Sequence, residues 1–92
     1  MTKRIFQVTI QTVANNGHGW EGLDEEDVIY ETESLTDATR RIEEEGARFP
    51  SVKEDETKAL LLNLRAIEKD GDEIIDNLTL LYMERGIDKQ ST

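Results

Sequence analysis

The sequence predicts an α+β domain, an antiparallel sheet of about four strands with one helix packed on one face, in the order ββαββ. Three observations carry this. Between Ile5 and Val13, Phe6, Val8 and Ile10 alternate with Gln7, Thr9 and Gln11, the period of a strand with one buried and one wet face. Ser34-Leu35-Thr36-Asp37 reads as a helix start. Asp70-Gly71 stands between two apolar runs, the strongest short signal for a β-hairpin.

Taken in order, the first strand covers Ile5 to Val13. Ala14 to Asp27 contains Asn16-Gly17, Gly19 and Gly22, is too long for a tight connection, and is expected to be a protruding loop. Asp27 to Glu33 alternates again, with Val28, Tyr30 and Thr32 on one face and Asp27, Ile29, Glu31 and Glu33 on the other. It is expected to pair antiparallel with the first strand. A helix from about Leu35 to Ala47 follows, with Ser34 or Thr36 as N-cap and Asp37 where the macrodipole favours an acid. Leu35, Ala38 and Ile42 form its apolar stripe, Arg40, Arg41 and Glu43 to Glu45 its solvated face, and Gly46 is placed to stop it.

Ser51 to Glu56 reads as a polar link. The run after it carries two patterns, since Leu60, Leu61, Leu64 and Ile67 have helical spacing while Leu60, Leu62, Leu64 and Ala66 alternate. The turn at Asp70-Gly71 favours a hairpin. The rival is a helical pair broken at Gly71, with Ser51-x-x-Glu54 as a second capping box and Ile74, Ile75, Leu78 and Leu81 at helical spacing. In the hairpin reading the sheet's second face shows Leu61, Ile67, Ile75, Leu81 and Met83, an apolar set that calls for a dimer or a partner. Residues 1–87 make one domain, and Asp88 to Thr92 are expected to be a frayed tail.

Ninety-two residues bury one core, so one site or one interface is expected. There is no Cys, hence no disulfide, thiolate metal site or thiol nucleophile, and the chain reads as cytoplasmic. Met1 to Ile5 leads into the first strand without a signal-like apolar run, and no stretch approaches the ~20 apolar residues of a membrane span. Asp and Glu total 21 against 11 Lys and Arg, a net charge of −10. Such a charge opposes direct binding to DNA or anionic lipid and favours a basic partner.

The charge is concentrated. Glu21, Asp24, Glu25, Glu26, Asp27, Glu31 and Glu33 lie within 13 residues that contain no Lys or Arg, and so carry −7 of the −10. The only Trp, Trp20, and the only His, His18, precede them. No catalytic constellation accompanies these residues, and a non-enzymatic role without cofactor or metal is expected. His18 with Glu21 or Asp24 matches no metal-ligand spacing and is most simply a surface residue. Gly17, Gly19 and Gly22 lack the Lys-Ser/Thr of a phosphate loop, and the neighbouring acids would repel a phosphate. Binding fits better: Trp20 is the side-chain type most enriched at interface hot spots, the alternative being that it folds back to cover a sheet edge. On one strand face Asp27, Glu31 and Glu33 would be spaced at multiples of about 6.6 Å, comparable with phosphates along a nucleic acid. The plainer reading of this row is a solvated strand edge that discourages aggregation.

The single-domain size, the absence of Cys, the acid cluster Glu21 to Glu33, the step Glu33-Ser34-Leu35-Thr36-Asp37-Ala38 and the Asp70-Gly71 hairpin resemble the small acidic proteins with which phages disable host nucleic acid machinery, anti-CRISPR proteins and DNA mimics in particular. The resemblance implies a viral protein acting in the host cytoplasm. It implies a partner with a basic nucleic acid-binding surface, such as a CRISPR effector complex, whose access to target DNA is blocked without catalysis. On this expectation Trp20, Glu21, Asp24, Glu25, Glu26, Asp27, Glu31 and Glu33 form the partner-binding set. The alternative is a dimeric interaction module or antitoxin-like regulator using the exposed apolar sheet face.

Overall fold

The computed structural model describes residues 1–15, 17, 19–52 and 57–87. His18, residues 53–56 of the polar link and the expected tail at 88–92 lie outside the described residues. The order is β1 (Thr2–Asn15), β2 (Trp20–Gly22), β3 (Asp27–Thr32), α1 (Leu35–Ala47), β4 (Lys58–Asp70) and β5 (Glu73–Arg85). The class is α+β, one helix on an antiparallel sheet, as the alternation and the turn predict. Five strands form it instead of four, because the first connection is not all loop: β2 folds back on the end of β1, Trp20 lying opposite Asn15.

β1 and β4 are the inner strands, and β5 borders β4. β2 and β3 share the other side of β1, at its C-terminal end and along its middle respectively. β4 and β5 are the two arms of a hairpin, which removes the helical-pair alternative. Asp70 opposes Glu73 across a two-residue loop in which Gly71 has φ +64° and Asp72 no positive φ, the pattern of a type II′ turn.

Residues directly opposite in an antiparallel ladder point to the same face, so the registers assign every strand side chain to a layer. Phe6, Val8 and Ile10 lie opposite Ala66, Leu64 and Leu62, and this is the face that α1 covers. The core cluster there is Val8, Ala38, Ile42, Leu62 and Leu64, flanked by Phe6, Ile10, Ile29, Tyr30 and Met83. Ser34 is the N-cap, its Oγ accepting from the Asp37 N–H at 3.2 Å.

Three local expectations are corrected. Gly46 does not stop the helix; it is buried inside the last turn, where a Cβ would collide with Met83 Sδ, so it marks the place where the Met83 side chain of β5 packs directly on the helix backbone. The buried stripe of α1 is Ala38, Ile42, Glu45 and Gly46, while Leu35 is 47% exposed. Glu45, expected in solvent, is buried and faces Arg41 at 3.3 Å and Arg48 at 3.6 Å.

The second sheet face is also not the apolar surface expected. Leu81 lies opposite Leu64 and Met83 opposite Leu62, both on the helix side; the skips at Ile75 and Leu80 together move the ladder by two residues, which returns these side chains to the face an unbroken hairpin gives them. Ile67 faces Ile5, both buried. Of the expected set, Leu61 remains half-buried on that face, and Ile75 is an exposed extra residue at a second register shift.

Candidate binding surface at the acidic loop

The acidic stretch begins in β2, crosses Leu23 to Glu26 and continues into β3. The Leu23 N–H donates to the Thr12 carbonyl at 2.9 Å, and Gln11 Nε2 donates to the Asp24 carbonyl at 2.8 Å. Two contacts from one strand therefore bend the loop back over the face away from α1. Gly22 is packed tightly there, since a Cβ would strike Gln11 Nε2 at 2.5 Å.

Glu26 anchors the loop more firmly. Its Oε1 lies 2.6 Å from Arg65 Nη1, and its Oε2 accepts from Asn63 Nδ2 at 3.5 Å. Arg65 Nε also donates to Gln7 Oε1 at 3.3 Å, and Gln7 Nε2 donates to Glu31 Oε2 at 2.8 Å. Gln7, expected on a wet face but buried, thus forms one polar network with the half-buried Asn63 and Arg65, tied at both ends to acids of the suspected surface. Sequence reasoning missed this cradle, although Gln7 and Gln11 share the solvent phase of β1; a network across three strands becomes visible only with the register.

The eight suspected residues do not form one uniform patch. Glu21, Asp24, Glu25, Asp27, Glu31 and Glu33 are exposed, whereas Glu26 and Trp20 are half-buried. Glu33 pairs with Lys3 at 2.8 Å, a contact that holds the Lys3 ammonium above its ordinary value through hydrogen bond and charge. Asp24, Glu25 and Asp27 make no ion pair with any described residue.

The evenly spaced acid row on β3 does not form. The ladder between β1 and β3 shifts between Val8 and Thr9, so that Val8 opposes Tyr30 and Thr9 opposes Val28, with Ile29 as the extra residue. Asp27 consequently stands opposite Ile10 on the helix side and Glu31 opposite Gln7 on the other. A bulge that brings Ile29 onto the core thereby separates the two carboxylates.

Among the described residues no group of three His, Cys, Asp or Glu side chains converges to hold a metal ion, and no helix is long and apolar enough to cross a membrane. A shallow depression of about 270 Å³ lies by Tyr30, Asp37, Arg40, Arg41 and Glu44. Arg40 is paired there with Asp37 at 2.9 Å, and the Arg41 guanidinium sits 5.2 Å from the Tyr30 ring centroid. Comparison with protein-family models, with curated proteins and with solved structures finds no match to this chain.

Proposed function

We propose that the protein is a non-catalytic binding protein that docks its acidic β2–β3 side on a basic, nucleic acid-binding surface of another protein and blocks access to it. The observation that supports this reading is the run Asp24, Glu25 and Asp27, three exposed carboxylates without an ion-pair partner among the described residues, the first two on a loop held to the sheet at Leu23, Asp24 and Glu26 and the third at the first residue of β3. A pinned loop loses little conformational entropy on binding, and unpaired surface charge raises the rate of encounter with an oppositely charged face. Glu21 and Glu31 extend the field to either side, and the half-buried Trp20 stands at its border in β2.

The bulge in β3 changes the form of the recognition. Without a straight row of carboxylates along one strand face, charge density on a loop replaces a phosphate-by-phosphate imitation of a nucleic acid backbone. A basic groove, as on a CRISPR effector complex or another host nucleic acid-binding protein, is the partner that this charge and the resemblance to phage inhibitors suggest.

The test is capture of a purified CRISPR surveillance complex, and of bacterial lysate proteins, on the immobilised protein at low and high salt. Retention of a nucleic acid-binding protein that salt releases, that DNA displaces and that Glu25→Lys with Asp27→Lys abolishes is the expected result. Retention unchanged by the double charge reversal excludes this surface.

A further inference from the structure

The opposite side of the helix-bearing face is unfinished. At the level of β3, β1, β4 and β5 the outer strand axes stand about 14 Å apart at ordinary sheet spacing, room for two helices of about 10 Å diameter. α1 lies over β3, β1 and β4 and meets β5 near its own C-terminal end, where Gly46 faces the Met83 side chain. Toward its N-terminal end, a groove of about 230 Å³ opens between helix and strand, lined by Phe6, Leu35, Ala66, Leu78 and Leu80. Leu78 is 58% exposed, Leu35 47% and Leu80 43%, values far from those of a finished core. Arg4, Glu68 and Asp76 rim it.

We propose that this groove receives a basic amphipathic helix of another protein, laid beside α1 as the second helix of the layer, with its apolar side on Leu78 and Leu80 and its cations toward Glu68 and Asp76. Three observations select this occupant. An added strand is disfavoured because β5 carries two register shifts, at Leu80 and at Ile75, which break the regular outer edge that strand addition needs. A second copy is disfavoured because it brings another −10 of charge. A cationic helix supplies the missing apolar area, and its positive charge answers a rim on which Glu68 and Asp76 outweigh Arg4. The groove lies at the β5 side of the sheet, away from the acidic β2–β3 side, and stands or falls independently of the function proposed for that side.

The experiment uses the full chain and two synthetic peptides of about 18 residues, long enough for five helical turns. One places Leu on one helical face and Lys on the other; its control replaces Lys by Glu. In an amide NMR titration, the Leu/Lys peptide is expected to perturb Phe6, Leu35, Ala66, Leu78 and Leu80. Leu78→Asp, at an exposed position whose retained fold the same spectrum verifies, should weaken binding about tenfold or more despite adding a negative charge, the scale of one lost Leu contact. The Leu/Glu peptide should bind more weakly by a similar factor. Perturbations confined to residues 24–31, or binding indifferent to Leu78→Asp, would overturn the proposal. So would equal binding of both peptides, or self-association in sedimentation that Leu78→Asp abolishes, since a second copy would then fill the groove.

Discussion

Arg65 Nη1 and Glu26 Oε1 stand 2.6 Å apart, and each side chain is about three-quarters buried. This contact joins an inner strand to the most acidic segment of the chain. It also withdraws one of the seven clustered acids from solvent and orients the others, since Asp24, Glu25 and Asp27 flank the anchored residue.

Arg65→Ala should therefore destabilise the protein by about 1–3 kcal/mol, more than an exposed pair contributes and less than a fully buried one, because Glu26 is left partly desolvated without its counter-charge. Glu26→Gln keeps the shape and should cost less, about 1 kcal/mol. Denaturant unfolding of both variants measures the difference. Equal and negligible losses would show that the loop is not held by this pair.

Gly46 and Met83 make a second specific pair. Gly-to-Ala inside a helix ordinarily adds about 1 kcal/mol of stability, but here the new Cβ meets Met83 Sδ. Overpacking costs about 1–3 kcal/mol, so a net loss of about 1 kcal/mol is expected for Gly46→Ala. In a Met83→Ala background the same substitution should become neutral or stabilising. A double-mutant cycle by thermal unfolding reads this coupling, and additivity would refute the close contact.

Gly71 holds φ +64° at the first position of the β4–β5 turn. A Cβ there has open space around it, so any cost comes from the backbone and not from contacts. Gly71→Ala and Gly71→Asn should each lower stability by about 1–2 kcal/mol, because the first central position of a type II′ turn is a glycine conformation. Unfolding midpoints of the two variants provide the comparison.

Lys3 supplies the pH dependence. Its ammonium is held above 10.5 in the folded protein, first by its hydrogen bond to Glu33 and then by that carboxylate's charge. A group raised on folding binds its proton more tightly in the folded state, so its stabilising contribution is complete below 10.5 and is lost as pH rises through the folded value. Lys3→Met should flatten that alkaline part of the stability profile while leaving the remainder of the curve parallel. Both side chains are about two-thirds exposed, so the effect should be small and should shrink with added salt.

Several elements were legible because their signals are local. The alternation of Phe6, Val8 and Ile10, the cap at Ser34 and the turn at Gly71 each arise from backbone geometry within a few residues. The helix Leu35–Ala47 and the hairpin of β4 and β5 follow from them. Trp20 was harder to place, because a three-residue strand carries too short a pattern to show a period; its pairing depends on the end of β1 meeting it. The acids of the candidate site were legible as charge, but not as geometry.

The sequence by itself determined the α+β class, the helix, the hairpin turn and the concentration of negative charge between Glu21 and Glu33, all properties of neighbouring residues. The tertiary structure decided which of those charges are free and which apolar residues are left uncovered. The one-residue shift at Ile29 puts Asp27 and Glu31 on opposite faces, and the shifts at Ile75 and Leu80 turn Leu78 to the helix side while leaving Leu81 and Met83 there. Such shifts are chosen by how whole strands pack against α1 and against each other. A single inserted residue reverses every side chain beyond it, so the faces become fixed only when the partner strand is in place.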